Sequence, residues 1–218
     1  MTGTPAPTPF RLPRFYPILD TGVLAARECS VLTAGEALLE AGVRILQYRH
    51  KEVWTQAHFD EAKHLAALCH DAGVLFVLND RADFARLLKS ALHVGQDDLS
   101  PAAARRVISD EVMGFSTHNR EQLVRGDGEA VEYLSIGPIF PTLSKLKPDA
   151  VVGLERLKEL RAFTEKPLAA IGGITLENAQ QVLAAKADSA AVISGIVPPA
   201  CTRKGWKSHA EEWLRVCI

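Results

Sequence analysis

The stretch VLFVLNDRADFARLLKSALHVGQDDLSPAAARRVI, residues 74–108, decides the fold. It opens on an apolar run, Val74–Leu78, which leads through Asn79-Asp80-Arg81 into a helical pattern over Ala82–Lys89. The order then repeats, with the run Ala91–Val94, the acidic segment Gln96-Asp97-Asp98 and a second helical pattern over Ala102–Ile108. Ser100-Pro101 marks that second start, an N-cap residue followed by proline in the first helical position.

The same alternation extends in both directions. Strand-like runs fall at Phe15–Leu19, Arg44–Tyr48, Val112–Phe115, Tyr133–Ile136, Leu168–Ile171 and Ala190–Ile193. Helical patterns fall at Val23–Ala41, Thr55–Ala72, Arg120–Gly126, Leu154–Thr164, Leu176–Ala187 and Trp206–Val216. Gly42 and Gly73 follow helical patterns as C-terminal glycines do. Strands alternating with helices imply a parallel sheet with right-handed crossovers. A closed barrel and an open doubly wound sheet both satisfy this. No G-x-G-x-x-G follows the first strand, which removes the main support for a dinucleotide-binding sheet. The expectation is therefore a single-domain α/β protein, a (β/α)8 TIM barrel slightly below the typical ~250 residues. The barrel is expected over residues 15–218. Pro5, Pro7, Pro9 and Pro13 mark residues 1–14 as a flexible Pro-rich tail.

The chain has 218 residues, 47% hydrophobic and 23% charged, which suits one domain with a sizeable core. A formal net charge of -1 and the lack of a basic block argue against nucleic acid or a membrane surface as partner. No apolar stretch approaches the ~18 residues of a membrane span. Cys29, Cys69, Cys201 and Cys217 are scattered, without C-x-x-C or zinc spacing, and read as buried thiols in a reducing, cytoplasmic compartment. A homo-oligomer is left open.

Barrel enzymes build their sites at the C-terminal ends of the strands, and the chemically rich residues fall there. After the second strand, Gln47, Arg49 and Lys51 share one side at alternate spacing, while Tyr48 faces the helices. A guanidinium fork and a mobile ammonium suit phosphate oxygens, although two solvated charges would look the same. Asp80 and Asp98 follow consecutive strands and so lie side by side, with oxygens hard enough for Mg²⁺. Asp80 would also serve as an N-cap, a role that Ser100 already fills beyond Asp98. Ser116 and Thr117 offer hydroxyls to an anion, and His118 is either an acid–base group or a structural loop histidine. His93, inside a strand, reads as a satisfied core histidine. The long loop from Gly137 to Gly153, with Thr142, Ser144 and Lys145, has the form of a functional lid. Gly172-Gly173 and Ile193-Ser194-Gly195 end the last two strands, where barrels often bind phosphate.

Taken together, these segments resemble the thiamine phosphate synthase family. The resemblance runs in order through Gln47-Tyr-Arg-His-Lys51, Asn79-Asp-Arg81, His93-Val-Gly-Gln-Asp-Asp98 and Gly114-Phe-Ser-Thr-His118. It continues through Gly137-Pro-Ile-Phe-Pro-Thr142 with Lys145, Ile171-Gly-Gly-Ile174 and Val192-Ile-Ser194. It covers the chain from about Phe15 to Ile196. The departures are His50 where the family has Glu, Ser90-Ala91 for Asp-Gly, Lys186 for Gly and Ser144 for Thr.

The resemblance implies an Mg²⁺-dependent transferase. It joins 4-amino-2-methyl-5-(diphosphooxymethyl)pyrimidine to a (carboxy)thiazole phosphate, giving thiamine phosphate and diphosphate by a largely dissociative displacement. It implies Asp80 and Asp98 as metal ligands. It implies Gln47, Tyr48, Arg49, His50, Lys51, Asn79, Ser116 and Lys145 as pyrimidine-diphosphate contacts. Thr142, Leu143, Ser144, Gly173, Ile193 and Ser194 would contact the thiazole phosphate. Arg49, Lys51, Ser116 and Lys145 would act in the chemistry. A related thiazole tautomerase keeps the Ser-x-His element but tends to lose the two acids, both of which are present here. A sugar-phosphate isomerase would need the metal pair less, and a non-catalytic phosphate sensor would not need the full set of charges.

Overall fold

The computed structural model describes residues 10–142 and 149–218. Eight parallel strands close into a barrel in sequence order. They are β1 (Phe15–Asp20), β2 (Ile45–Arg49), β3 (Leu75–Asn79), β4 (Ala91–Val94), β5 (Met113–Thr117), β6 (Tyr133–Ile136), β7 (Leu168–Ile171) and β8 (Ser189–Val192). Around them, among the described residues, lie α1 (Thr21–Ala25), α2 (Val31–Ala41), α3 (Gln56–Asp71), α4 (Ala82–Leu88), α5 (Pro101–Ile108), α6 (Arg120–Asp127), α7 (Leu154–Leu160), α8 (Ala179–Ala184) and α9 (Arg203–Val216). The expected (β/α)8 barrel is the fold observed.

The strand period sorts the side chains into two layers. Outward residues such as Leu19, Leu46, Tyr48, Leu78, Leu92 and Leu134 are buried against the helices. Inward residues from Tyr16, Ile18, Ile45, Val77, Ala91, Tyr133, Ala169 and Ala191 fill the interior. Continuing the inward rows toward the C-terminal rim gives Gln47 and Arg49 on β2, Asn79 on β3, His93 on β4, and Ser116 and Ser135 on β5 and β6. Registers Asp20↔Arg49, Asn79↔His93 and Ser116↔Ser135 set these positions against each other. An apolar floor therefore carries a polar upper layer.

The helix starts follow their caps. Ser30, Ser100, Asn119 and Thr202 accept hydrogen bonds from backbone N–H groups in the first turns of α2, α5, α6 and α9, each worth about 1 kcal/mol. The helical pattern expected over Val23–Ala41 is broken into α1 and α2. Asp20 caps the first, Glu28 turns the chain with a φ of 52°, and Ser30 caps the second. Apolar periodicity does not register such a turn. The pattern over Leu176–Ala187 shortens to α8, because Thr175–Asn178 is held as a turn by the Asn178 carboxamide oxygen on the Thr175 N–H.

Two further expectations are corrected. Cys29 and Cys201, expected as thiols, are joined as a disulfide, their Cα atoms brought to 5.4 Å across a sequence separation of 172 residues. Only closure of the barrel makes them neighbours. Cys69 and Cys217 are free and buried, and burial pushes their thiols up to about 12 and about 11. Residues 10–14, expected within the tail, pack on the barrel. Leu12 is buried in the interior cluster, and the Phe10 ring lies 5.9 Å from that of Tyr133. Residues 1–9 of the expected tail lie outside the described residues. Among the described residues no helix is long and apolar enough to cross a membrane.

Candidate active site

The rim at the ends of β1–β4 collects opposite charges. Arg49 pairs with Asp20, which is buried and also accepts the Val23 N–H at 2.9 Å as the cap of α1. Lys51 places Nζ 2.5 Å from Oδ2 of Asp80. The backbone N–H of Asp80 continues the ladder by donating to the His93 carbonyl at 2.8 Å, and its φ of 65° lies in the left-handed region. A non-glycine residue held there stores strain, a pattern common at functional sites.

Asp80 does not cap the following helix. The residue at the cap of α4 is Arg81, which makes no side-chain cap bond. Its guanidinium instead lies over the Phe84 ring at 3.6 Å and bonds Asp83 at 2.8 and 2.5 Å. The Asp80 carboxyl is within hydrogen-bonding reach of Asp98, whose Oδ2 accepts the Gly95 N–H at 2.7 Å. Burial pushes Asp80 up to about 6; Asp98 raises it further and Lys51 opposes the shift. Two carboxyls held together against their own repulsion form a site with an affinity for positive charge. Asp97, beside them in sequence, is exposed. Among the described residues no group of three or more His, Cys, Asp or Glu gathers as a metal cage.

Next to the acids, Asn79 is buried and its Nδ2 has no hydrogen-bond partner among the described residues. A buried amide donor without a partner is costly unless a ligand supplies an acceptor. Deeper in the barrel Gln47 is buried, with Nε2 donating to Tyr16 Oη at 2.7 Å. Ser116 Oγ lies 2.8 Å from His93 Nε2 and 3.2 Å from Ser135 Oγ. Burial lowers the His93 pKa to about 4 and so keeps the ring neutral at physiological pH.

Other sequence-derived candidates point elsewhere. The Tyr48 hydroxyl lies in the helical layer and donates to Glu61 at 2.9 Å. His50 is buried, its Nδ1 2.7 Å from Thr21 Oγ1 and its Nε2 3.3 Å from the Val53 carbonyl. The histidine that replaces the family's Glu is thus engaged by the start of α1 and by its own loop. His118 Nδ1 lies 2.6 Å from the Gly137 carbonyl, so it braces the start of the long loop.

The ends of β7 and β8 form the opposite side. Gly173 has a φ of 65°, and a Cβ there would sit 2.6 Å from the Pro141 carbonyl oxygen. Its glycine is demanded by the neighbouring loop as well as by its conformation. Ile193 and the exposed Ser194 lead into a 3-10 turn, Ser194–Ile196. The Trp213 indole on α9 supports that turn by donating to the Gly195 carbonyl at 3.2 Å. Thr142 is half-buried beyond Pro141, whereas Leu143, Ser144 and Lys145 lie outside the described residues.

Asp20, Tyr16, Tyr133 and Ser135 also line the site, and no motif marks them in the sequence. Tyr133 and Ser135 lie two apart on β6 with the inward parity of Gln47, which was the signal available for them. Asp20 directly follows the first apolar run, in the place that Asn79 takes after the third, and closes β1 as Asn79 closes β3.

Residues 15–196 match the family described as thiamine monophosphate synthase. A thiamine-phosphate synthase of Koribacter versatilis is 46% identical over 212 residues, covering 94% of this chain and 96% of its own. That of Chloroflexus aurantiacus is 37% identical over 185 residues, covering 84% and 85%. The structure of thiamine phosphate pyrophosphorylase from Pyrococcus furiosus superposes with a TM-score of 0.81 at 26% identity, covering 94% of this chain and 95% of that one.

Proposed function

The chain belongs to the thiamine monophosphate synthase family, and from that premise we propose how its rim carries out the coupling. The enzyme is a transferase, a thiamine-phosphate synthase. Its substrates are 4-amino-2-methyl-5-(diphosphooxymethyl)pyrimidine and a (carboxy)thiazole phosphate; its products are thiamine phosphate and diphosphate. The single observation that supports this most is the Asp80–Asp98 pair beside Lys51, with Asp80 raised to about 6. An isomerase acting on the thiazole alone has no use for two abutting acids next to a lysine.

The donor set suits Mg²⁺, which binds through one or two carboxylates and fills its shell with substrate phosphate oxygens and water. Asp80 and Asp98 would hold it, and it would supply charge stabilisation to the leaving diphosphate. Lys51 is positioned to exchange the Asp80 carboxylate for a diphosphate oxygen, and Arg49 offers its fork from the neighbouring inward position. Asn79 would give its unpartnered Nδ2 to the same group. In the bond-breaking step the methylene carbon–oxygen bond cleaves, and its electrons leave with the diphosphate. The aminopyrimidine ring stabilises the resulting cation, and the thiazole nitrogen captures it. Donors aimed at the growing negative charge act most in the transition state. Ser116 and Lys145 would join this set. Gly173, Ile193 and Ser194, with Thr142, Leu143 and Ser144, would contact the thiazole phosphate. The proposed compartment is the cytoplasm, which rests on the biosynthetic role of the relatives and not on the cysteines, two of which are joined.

The test is incubation with both phosphorylated halves and Mg²⁺, scored by mass. Thiamine phosphate and diphosphate in equal amounts are expected. Isomerised thiazole without any coupled product would refute the proposal.

A further inference from the structure

A continuous line of hydrogen bonds crosses the barrel interior beneath the site. Gln47 Nε2 donates to Tyr16 Oη at 2.7 Å, and Tyr16 Oη lies 2.8 Å from Tyr133 Oη. Tyr133 Oη lies 3.0 Å from His93 Nδ1, and His93 Nε2 lies 2.8 Å from Ser116 Oγ. Tyr16, Tyr133 and His93 are buried. The line exists because β5 carries glycine where it passes. A Cβ on Gly114 would sit 2.1 Å from Tyr133 Cζ and 2.4 Å from His93 Nδ1. A side chain at that position would separate the phenol from the imidazole.

The direction of the line follows from proton counting. Each phenol carries one O–H, and a neutral imidazole carries one N–H. The Tyr16 oxygen accepts from Gln47, and the buried Tyr16 hydroxyl has no acceptor other than Tyr133 among the described residues, so its proton goes to Tyr133. Tyr133 then gives its proton to His93 Nδ1. The imidazole must therefore carry its hydrogen on Nε2 and donate to Ser116 Oγ. With its oxygen accepting, the Ser116 hydroxyl donates away from the histidine, where Ser135 Oγ lies 3.2 Å off and a bound ligand would compete for the proton. Reversing the line from Ser116 back to Tyr16 would leave the buried Tyr16 proton without an acceptor among the described residues.

We infer that Tyr16, Tyr133 and His93 are positioning residues that form a one-way relay from Gln47 to Ser116, presetting the Ser116 hydroxyl as a donor toward the substrate. The roles at the two ends rest on the synthase reading. Gln47 then keeps its carboxamide oxygen for the exocyclic amine of the aminopyrimidine, and Ser116 aims its proton at the departing diphosphate. The pyrimidine end and the leaving-group end are tied together without either touching the other. The polarity of the line does not depend on that reading.

The experiment uses the full chain with 15N-labelled histidine rings, studied by NMR without substrates. Signals of His93 are identified by their loss in His93→Gln. The expected result is a single Nε2–H tautomer for His93, with both tautomers present in Tyr133→Phe. A wild-type His93 protonated on Nδ1 would overturn the relay. In the coupling assay, Tyr133→Phe should lower kcat about fivefold, the worth of one hydrogen bond, and hold the pyrimidine KM within about twofold. In a Ser116→Ala background the same change should cost nothing further, and additive losses would overturn the proposal. If Tyr133→Phe does not fold, Tyr16→Phe gives the same two readouts. The expected ring pattern in a protein that makes no thiamine phosphate would uphold the relay and refute the synthase reading.

Discussion

Lys51 holds its ammonium 2.5 Å from the Asp80 carboxylate at the point where Asp80 also meets Asp98. The lysine thus occupies the charge-seeking acid pair and is placed to leave it when a cation and a diphosphate arrive. Lys51→Met should lower kcat about tenfold or more, since each ~1.4 kcal/mol of transition-state stabilisation is a factor of ten. The same variant should bind Mg²⁺ at pH 8 at least as well as wild type, because a competing positive charge has gone. Titration of activity against Mg²⁺ separates the two effects. Weaker Mg²⁺ binding with unchanged kcat would mean that the lysine only braces the loop.

Asp98 accepts the Gly95 N–H, so its removal needs an isosteric replacement. Asp98→Asn keeps the shape and removes the charge. The variant should keep its melting temperature within a few degrees and lose about a hundredfold in coupling, since metal charge stabilisation is worth several kcal/mol. Near-normal turnover by the folded variant, or full wild-type activity in excess chelator, would refute the assignment of the acids.

The fold and the inward half of the site were legible because both follow from a period of two. Gln47, Arg49 and Lys51 share a parity that shows in five residues of sequence, and Asp80 and Asp98 each follow a readable strand. What stayed hidden depends on closure. Tyr16 and Tyr133 are 117 residues apart, and their hydroxyls meet only across the barrel interior. Cys29 and Cys201 are joined across 172 residues. Asp20 was missed because it closes the first apolar run and looks like a turn residue, although its partner Arg49 lies directly opposite in register. The break between α1 and α2 rests on the left-handed Glu28, which no apolar pattern marks.

The two phosphate-loop residues should behave differently. Gly173→Ala puts a Cβ against Pro141 in a left-handed backbone, at a cost of about 1–2 kcal/mol, so it should lower stability and both substrate affinities together. Ser194 is exposed at the start of its turn, and Ser194→Ala should leave the melting temperature unchanged. It should weaken thiazole phosphate binding about fivefold, as loss of one hydrogen bond does. Calorimetry with each substrate alone checks this, and an equal loss for both in Ser194→Ala would remove it from the thiazole side.

Stability against pH carries two opposing contributions from this rim. Asp80 is raised from about 4 to about 6, so between those values the native state holds a proton that the unfolded chain has lost. Stability from this group is greatest below the lower value and falls as pH rises through the window. Mg²⁺ bound to the ionised pair reverses that loss, so the metal should raise the melting temperature more at pH 7 than at pH 5.

His93 acts in the other direction. Burial lowers it to about 4, whereas in the unfolded chain it titrates near 6.5. Below about 6.5 the unfolded state takes up a proton that the native ring refuses. Its contribution to stability therefore falls as pH drops, by about 1.4 kcal/mol per unit until the native ring itself titrates. Between about 4 and 6 the two slopes oppose each other, and the wild-type profile should look flatter than either group would make it. Asp80→Asn should expose the histidine slope, with stability decreasing steadily on acidification from pH 6.5. Denaturant unfolding at a series of pH values checks this. If the wild-type and Asp80→Asn profiles stay parallel from pH 4 to 6, then the aspartate keeps an ordinary pKa in the native state, and the proposed metal site loses its principal support.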